Sequence, residues 1–342
     1  MSDELQKLAK KLSKKYGTLR IAGEVEDTKE FVSVGNLAMD LMLEGGIALG
    51  YATEWSGKSG SGKTLMIQLA LADMQKRYDA IGVWIDRENA WYNKRAADLG
   101  VNLNNVILLS PADVPTVPDA EIALRDILSG LPKDSYKFIA IDSISAFMKE
   151  GDKADMGKRA QSWHNLFRAI LPYIDNKTSF HFSNQRTFKI GVLFGDNTTT
   201  TGGEAPKFYT SYRLKLDDKK AIIDPKRGNE IIGNWISAYI EKTRRGPNHR
   251  KIEFPFYYAS GIPYYGGYGR LLWKRGYVEP ANKTEFKAFK QSTLQYNDEK
   301  FSEFEIEKFI EKHPELLFNA YPEYNLNAEA AEEVDEFEID TE

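Results

Sequence analysis

The stretch WSGKSGSGKTLMIQLA, residues 55–70, places three glycines, two lysines and four hydroxyl side chains in its first ten positions and then becomes apolar. It matches the pattern GxxxxGK[ST] at Gly57, Gly62, Lys63 and Thr64. Glycines let successive backbone N–H groups turn inward around phosphate oxygens, and the start of a following helix adds unpaired donors and a favourable dipole. The stretch therefore predicts a phosphate-binding loop.

The sequences on either side of this loop support the same interpretation. YATEW (51–55) is typical of a short strand, and TLMIQLALADMQKRY (64–78) places apolar residues on one helical face. We therefore expect ATP here, with Lys63 reaching the β and γ phosphates and the Thr64 hydroxyl binding Mg²⁺. The alternative is a glycine-rich turn with a surface lysine. The residues assigned to nucleotide binding in the loop are Gly57, Lys58, Ser59, Gly60, Ser61, Gly62, Lys63 and Thr64.

The composition indicates where the chain acts. Cysteine is absent, which excludes disulfides and cysteine-ligated metal and suits a reducing cytoplasm. No apolar run approaches the length needed to cross a bilayer, and the N-terminus is charged rather than similar to a signal peptide. We expect a cytoplasmic protein with no membrane partner.

Charge is unevenly distributed along the chain. Residues 329–342 carry eight acids and no base, so the formal net charge of −4 becomes +4 for residues 1–328. A terminal block of like charges is typical of a disordered, solvated tail. The alternative is an electrostatic competitor that occupies a basic groove until a polyanion displaces it.

Apolar, strand-like runs alternate with helical patterns between about residues 33 and 270. The runs lie at 80–86, 105–110, 137–143, 178–184, 212–216 and 235–243. Short strands with helices between them predict an α/β fold, with a mostly parallel sheet covered on both faces and an antiparallel meander at its end. Before this core, residues 3–16 predict a basic amphipathic helix, and TLRIAGE (18–24) predicts a short strand.

Two of the predicted strands end in carboxylates. FIAIDS (138–143) ends at Asp142, and VWIDRENAWY (83–92) carries Asp86 and Glu88. Open α/β sheets bind ligands at the carboxyl ends of their strands, so we expect Asp142 to hold the water shell of Mg²⁺ and Glu88 to activate the attacking water. The alternatives are a turn cap at Asp142 and a solvated loop acid at Glu88.

The segment SNQRTFKIGVLFGDNTTTTGGEAPKFYTSYRLKL (183–216) distinguishes among the many classes of P-loop ATPase. It resembles the DNA-binding loop region of RecA-type strand-exchange proteins. The resemblance continues in VGNLAMDLMLEGGIALGYATEWSGKSGSGKT, GVWIDRENA, FIAIDSISAF and ASGI, and so covers about residues 31–280. The short N-terminal helix and acidic C-terminal part are similar to bacteriophage members such as UvsX as well as to bacterial RecA, which implies a bacterial or phage-infected cytoplasm.

The resemblance implies an ATP-dependent recombinase that forms helical filaments on single-stranded DNA and exchanges it with a homologous duplex in recombination and repair. It implies a RecA-like ATPase core at 31–280, a polymerisation arm at 1–30, a small C-terminal region at 281–328 and an acidic tail at 329–342. Single- and double-stranded DNA, further copies of the chain, and single-strand-binding and mediator proteins are the expected partners. The alternative function is that of a ring-forming RecA-fold helicase or regulatory ATPase acting on nucleic acid.

Individual roles follow from the same resemblance. It assigns Gln185 to sensing the γ-phosphate, and Lys242 and Arg244 to the nucleotide of the next subunit, which together with Lys63 and Glu88 completes the expected catalytic set. Basic protection of an edge strand is the alternative for Lys242 and Arg244. Tyr92 and Arg95 stand where the family has an aspartate and a tyrosine that hold adenine, and Tyr92 is therefore the candidate for base stacking.

The resemblance also assigns two DNA-binding loops, the first at 147–165 and the second at about 186–204. In the first, Gln161 stands where the family usually has arginine. In the second, Phe188, Ile190 and Phe194 are expected to stack between bases, with packing against the protein body as the alternative. The full set of predicted DNA contacts is Arg159, Arg168, Arg186, Phe188, Lys189, Ile190, Phe194, Thr201, Gly202 and Gly203.

Overall fold

The computed structural model describes residues 2–16, 19, 21–24, 30–147, 156–188, 198–201, 203–281 and 293–317. The chain forms two compact units, residues 1–30 and residues 31–342. The first unit contains the predicted basic helix, α1 (Ser2–Tyr16), with Lys14 and Lys15 in its last turn. The strand predicted over 18–24 was wrong for the part that can be described, because Ala22–Glu24 form a single 3₁₀ turn.

The second unit begins with a short antiparallel pair, β1 (Phe31–Val32) and β2 (Ile47–Ala48), and is built on a sheet of nine strands. These strands are β3 (Tyr51–Gly57), β4 (Ile81–Asp86), β5 (Val106–Leu109), β6 (Lys137–Asp142), β7 (Thr178–Phe188), β8 (Thr198–Thr200), β9 (Tyr212–Asp224), β10 (Glu230–Lys242) and β11 (Lys251–Tyr257). Their order is β11-β10-β9-β3-β7-β6-β4-β5, with β8 paired to β7.

Pairing within this sheet divides it into two parts. From β9 through β3, β7, β6 and β4 to β5, neighbouring strands are parallel, whereas β10 and β11 continue from β9 as antiparallel strands. The predicted parallel sheet that ends in an antiparallel meander is confirmed. The sequence underestimated the meander, since β9 extends to Asp224 and β11 was not predicted.

Helices cover both faces of the sheet. They are α2 (Leu37–Met42), α3 (Lys63–Tyr78), α4 (Asn93–Asp98), α5 (Val117–Gly130), α6 (Met156–Ile170), α7 (Ala205–Tyr209) and α8 (Tyr268–Lys274). Successive side chains of a strand point to opposite faces. On β6, Phe138 and Ala140 therefore join the apolar cluster that includes α3, whereas Ile139 and Ile141 join the cluster that includes α5 and α6. Strands buried on both faces explain the continuous apolar runs in the sequence.

A small C-terminal sheet packs onto the first of these clusters. It consists of β12 (Glu279–Pro280), β13 (Thr293–Tyr296) and β14 (Glu299–Ser302), followed by α9 (Ile306–Lys312). Leu294, Phe301 and Phe309 are buried in the same cluster as Trp55 of the central sheet. No helix in the described ranges is long and apolar enough to span a membrane.

A neutral histidine lies at the centre of the large sheet. His181 of β7 is fully buried, and its Nδ1 accepts a hydrogen bond of 3.1 Å from the indole N–H of Trp55. Because an indole nitrogen can only donate, Nδ1 carries no proton and Nε2, 2.7 Å from the Ser179 hydroxyl, carries it. The ring also stacks on Phe138 at 4.5 Å. Burial lowers the pKa of His181 from 6.5 to about 3.

This burial predicts a specific loss of stability in acid. Below pH 6.5 this histidine takes up a proton in the unfolded chain, whereas in the folded chain it stays neutral until about pH 3. The stabilisation present above pH 6.5 is therefore lost as the pH falls. For this residue alone, the free energy of unfolding should fall by about 2 kcal/mol between pH 6.5 and 5. Urea unfolding of the wild type and His181→Gln across this range measures it.

The His181→Gln variant should be less stable at neutral pH, because stacking is lost, but its stability should depend less steeply on pH. Equal slopes in the two proteins would contradict the assignment.

Candidate active site

The predicted phosphate-binding loop lies between β3 and α3. Its three glycines are required for two reasons, backbone conformation and close packing. Gly60 and Gly62 have φ angles of 76° and 92°, in the left-handed region that other residues rarely adopt. At Gly57 a Cβ atom would lie 2.3 Å from the backbone oxygen of Leu216 and 2.5 Å from the Ser61 hydroxyl. A side chain at position 57 would therefore separate β3 from its neighbour β9.

Lys63, the first residue of α3, folds back over this loop. Its Nζ donates to the backbone oxygens of Lys58 at 2.7 Å and of Gly57 at 3.2 Å. Burial lowers the pKa of Lys63, while the carboxylates of Glu88 and Asp142 oppose that shift. The buried Ser61 hydroxyl has no hydrogen-bond partner in the described part of the chain. An inward-facing cation and an unpaired hydroxyl on a glycine loop fit a chain of phosphates.

The end of β6 faces the start of α3. Thr64 Oγ1 donates to Asp142 Oδ2 at 2.7 Å, and the Ser183 hydroxyl of β7 donates to the other carboxylate oxygen. Burial raises the pKa of Asp142, and the two hydroxyl donors oppose that shift. A hydroxyl and a carboxylate in direct contact at the phosphate loop are the oxygen ligands that suit Mg²⁺ and its water shell.

Glu88 lies on the same edge of the sheet and is connected to β7. Its Oε1 accepts hydrogen bonds from the Ser143 hydroxyl at 2.5 Å and from Gln185 Nε2 at 3.2 Å. The Ser145 hydroxyl is 3.0 Å from that of Ser143 and accepts from the backbone N–H of Gln185 at 3.0 Å. Gln185 is thus joined to Glu88 both directly and through two serines.

Asp86, the other acid at this strand end, binds the backbone of the loop that follows β4. Its carboxylate accepts from the backbone N–H groups of Ala90 and Trp91 at 3.1 and 2.8 Å. Asp86 and Glu88 therefore have different partners, although they lie only two residues apart. Only Glu88 lines the cleft described next.

A cleft of about 390 Å³ brings together Lys63, Thr64, Glu88, Asp142 and Gln185. Its walls also include Arg95 and two aromatic residues that sequence reasoning missed, Phe256 and Tyr258, whose rings meet edge to face at 5.9 Å. Tyr92, the predicted base-stacking residue, is 60% exposed and does not line the cleft. The only sequence signal for the aromatic pair was the ASGI motif that directly follows it.

Lys242 and Arg244 lie away from this cleft. Neither lines it, and Lys242 Nζ donates to the backbone oxygens of Lys207 at 2.7 Å and Thr210 at 2.8 Å. Burial, and then the neighbouring cations Arg244 and Arg213, lower the pKa of Lys242.

Comparison with known proteins identifies the family. Residues 1–263 match the family model of the RecA N-terminal domain. The chain belongs to the RecA family. Protein RecA of Streptomyces venezuelae is 32% identical over 275 residues, which cover 78% of this chain and 70% of that protein. Protein RecA of Arthrobacter sp. is 34% identical over 267 residues, 75% and 73% of the two chains. Protein RecA of Nostoc punctiforme is 30% identical over 341 residues, 96% and 92% of the two chains.

Membership of the RecA family selects between the functions that the sequence left open. The protein is an ATP-dependent recombinase of DNA recombination and repair, rather than a ring-forming helicase or regulatory ATPase. DNA-dependent ATPase activity is general in the RecA family. Among the described residues, those of the cleft with Lys63 and Glu88 fit such an activity.

For four of the ten residues predicted to touch DNA, the structure describes the exposure, the conformation or the contacts. Arg168 is exposed on α6, and Gly203 has a φ of 64°. Thr201 exchanges two backbone hydrogen bonds with the Asn184 side chain, at 2.9 and 3.1 Å. Arg186 is turned inward: its side chain is 9% exposed and bonds to Ser56 and Glu241.

The remaining predicted contacts lie wholly or in part outside what the structure describes. Arg159 lies on α6 and Phe188 on β7, but their side chains are outside the described part. Lys189, Ile190, Phe194 and Gly202 lie outside the described residues.

Substitutions of the two central residues of the cleft should impair different steps, nucleotide binding in one case and turnover in the other. Lys63→Ala removes the cation that faces the phosphates and should abolish nucleotide binding. Glu88→Gln preserves the shape of the cleft and should keep ATP bound, but slow turnover by about two to four decades, the usual contribution of a general base. Phosphate release with single-stranded DNA and binding of a fluorescent ATP analogue separate the two effects.

Glu121→Gln on α5 is the matched control, because it makes the same chemical change outside the cleft. Wild-type turnover in Glu88→Gln would place the base elsewhere.

Proposed function

We propose that this RecA-family protein uses Mg²⁺ and ATP to form helical filaments on single-stranded DNA and to exchange that strand with a homologous duplex. The observation that carries the proposal is the hydrogen bond between Gln185 and Glu88. It joins the acid of the cleft to the end of β7, from which the chain continues into the predicted DNA-binding segment.

Within the cleft each residue has a distinct task. Bound Mg²⁺ and ATP supply the phosphoryl group and the charge that neutralises it in the transition state. Thr64 and Asp142 would hold the ion, and Lys63 would neutralise phosphate oxygens. Glu88 would orient a water molecule and accept its proton, and the Ser143 hydroxyl keeps the carboxylate directed into the cleft. Phe256 and Tyr258 offer the base an aromatic wall.

Gln185 would report the state of the cleft to DNA. Parallel pairing places it opposite Gly57, at the start of the phosphate loop. Its side-chain amide donates to Glu88, and its neighbour Asn184 holds Thr201 at the far end of the predicted DNA segment. A negative charge arriving in the cleft would compete for the Gln185 amide and so shift the base of that segment.

Lys242 and Arg244 would complete the site of the next subunit. Both lie outside their own cleft, and positive charge directed at a transferring phosphoryl group stabilises its transition state. Catalysis would then require contact between subunits, with residues 1–30 as the docking arm. A head-to-tail contact that does not close produces an open helix. Duplex DNA, single-strand-binding proteins and mediator proteins are the further partners of this proposal.

The proposed function is tested by strand exchange between a single strand and a homologous duplex. Labelled duplex should lose one strand to the homologous competitor when Mg²⁺ and ATP are present, and electron microscopy of the same mixture should show helical filaments. A heterologous duplex is the control. Closed rings, or strand transfer that ignores homology, would contradict the proposal.

The shared site is tested by mixing variants. Lys63→Ala and Arg244→Ala should each be inactive, but an equal mixture should recover activity at about one quarter of randomly formed interfaces, where an intact cleft meets an intact Arg244. DNA-stimulated phosphate release measures the recovery.

Lys63→Ala mixed with Glu88→Gln is the matched control, because both changes lie in the chain's own cleft and no interface regains an intact site. Recovery in both mixtures, or in neither, would exclude a site built from two chains.

A further inference from the structure

Two acidic and two basic side chains alternate in a chain of ion pairs across the centre of the sheet. Glu54 of β3 pairs with Arg213 of β9 at 2.6 Å, and Arg213 lies 3.5 Å from Glu241 of β10. Glu241 also accepts a hydrogen bond from Arg186 of β7. Their side chains are 0, 14, 15 and 9% exposed, respectively. The chain of pairs thus runs through four neighbouring strands, largely shielded from solvent.

Local strand geometry explains why Glu241 can reach two arginines. Ile240 pairs with Leu214 and Lys242 pairs with Arg213, so Glu241 is an extra residue at a bulge in β10. Bulges re-aim the side chains of the strand that carries them. Glu241 is thereby directed toward Arg213 and Arg186. Although burial lowers the pKa of Arg213, Glu54 and Glu241 outweigh that effect and raise it, so Arg213 remains charged.

Arg186 occupies a particular position in this network. It directly follows Gln185, and its backbone pairs with Thr200 of β8 across the two ends of the predicted DNA segment. Its Nε donates to the Ser56 hydroxyl of β3 at 3.2 Å, immediately before the phosphate loop. Glu241, its partner, directly precedes Lys242. One ion pair therefore joins the base of the DNA segment to the strand end that carries Lys242 and Arg244.

We infer that Arg186 is a positioning residue, whose ion pair with Glu241 couples DNA at the β7–β8 segment to the placement of Lys242 and Arg244 at the neighbouring subunit's nucleotide. This role replaces the direct DNA contact that the sequence predicted for Arg186. The inference rests on the proposed function, because it requires that Lys242 and Arg244 act across a subunit contact. Two opposite charges that are largely shielded from solvent are suited to the task, since separating them breaks a desolvated ion pair at a high cost.

The quantity to measure is the ratio between the dissociation constants for a fluorescein-labelled oligothymidylate with ADP and with a slowly hydrolysed ATP analogue. Arg186→Met keeps the length of the side chain and Glu241→Gln keeps its shape. Each should lower this ratio by roughly 5- to 20-fold, which is the lower part of the range of common allosteric couplings. The double variant should lower it no further than either single variant, because both changes remove the same interaction.

Arg270→Met is the matched control. It removes an ion pair of similar burial, with Glu253 at 3.0 Å, that lies between β11 and α8. Its ratio should equal that of the wild type. A purely structural role for Arg186 would instead weaken DNA binding equally with both nucleotides, and an unchanged ratio would then overturn the inference. If Arg186→Met does not fold, Glu241→Gln carries the same test.

The two proposals fail in distinguishable ways. A wild-type protein whose affinity for DNA does not depend on the nucleotide, and which exchanges no strands, would contradict the proposed function itself. If the wild-type protein binds DNA with clearly different affinities with ADP and with the ATP analogue, the proposed function stands. Additive effects of Arg186→Met and Glu241→Gln would then contradict only the coupling through this ion pair.

Discussion

The parallel pairing of β3 with β7 is the constraint on which the rest of the site depends. It sets Gly57 opposite Gln185 and Ser56 opposite Asn184, so the phosphate loop and the base of the predicted DNA segment leave the sheet side by side. Strands β6 and β4 end at the same edge and contribute Asp142 and, just beyond β4, Glu88. Since parallel strands share one carboxyl edge, a single sheet arrangement brings these groups to one cleft, where Gln185 donates to Glu88.

The two central strands are unusually polar for the interior of a parallel sheet. Thr53, Glu54 and Ser56 on β3, and Ser179, His181, Ser183 and Asn184 on β7, are all buried. Most of these groups have specific partners, such as Asn184 with Glu54 at 2.8 Å. Satisfied polar networks fix one arrangement of their members, because any shift leaves a group unpaired in a low dielectric. The apolar clusters on both faces offset the cost of burying them.

The fold could be predicted from sequence because its signals are local. The phosphate loop, the strands ending in Asp142 and Asp86, and the alternation of strands and helices are each encoded within a few adjacent residues. Other features depend on contacts between distant parts of the chain. From sequence alone, Arg186 is predicted to face DNA. In the structure its side chain points inward, because it bonds to Glu241, which lies 55 residues further along the chain. Phe256 and Tyr258, which form the aromatic wall, belong to no sequence motif of their own. Tyr92 matches the position of a base-binding residue of the family in sequence, but it does not line the cleft.

The shared interior of the central and C-terminal sheets limits how the chain can be divided for experiments. Leu294, Phe301 and Phe309 complete the apolar cluster of the ATPase core, and the Tyr268 hydroxyl of α8 donates to the backbone oxygen of Leu316 at 2.6 Å. A chain shortened at residue 280 would expose that cluster to water and remove the hydrogen bond between the buried Tyr268 hydroxyl and Leu316, at a cost in stability. A minimal soluble fragment should therefore retain the sequence through Leu317, even where only nucleotide chemistry is under study.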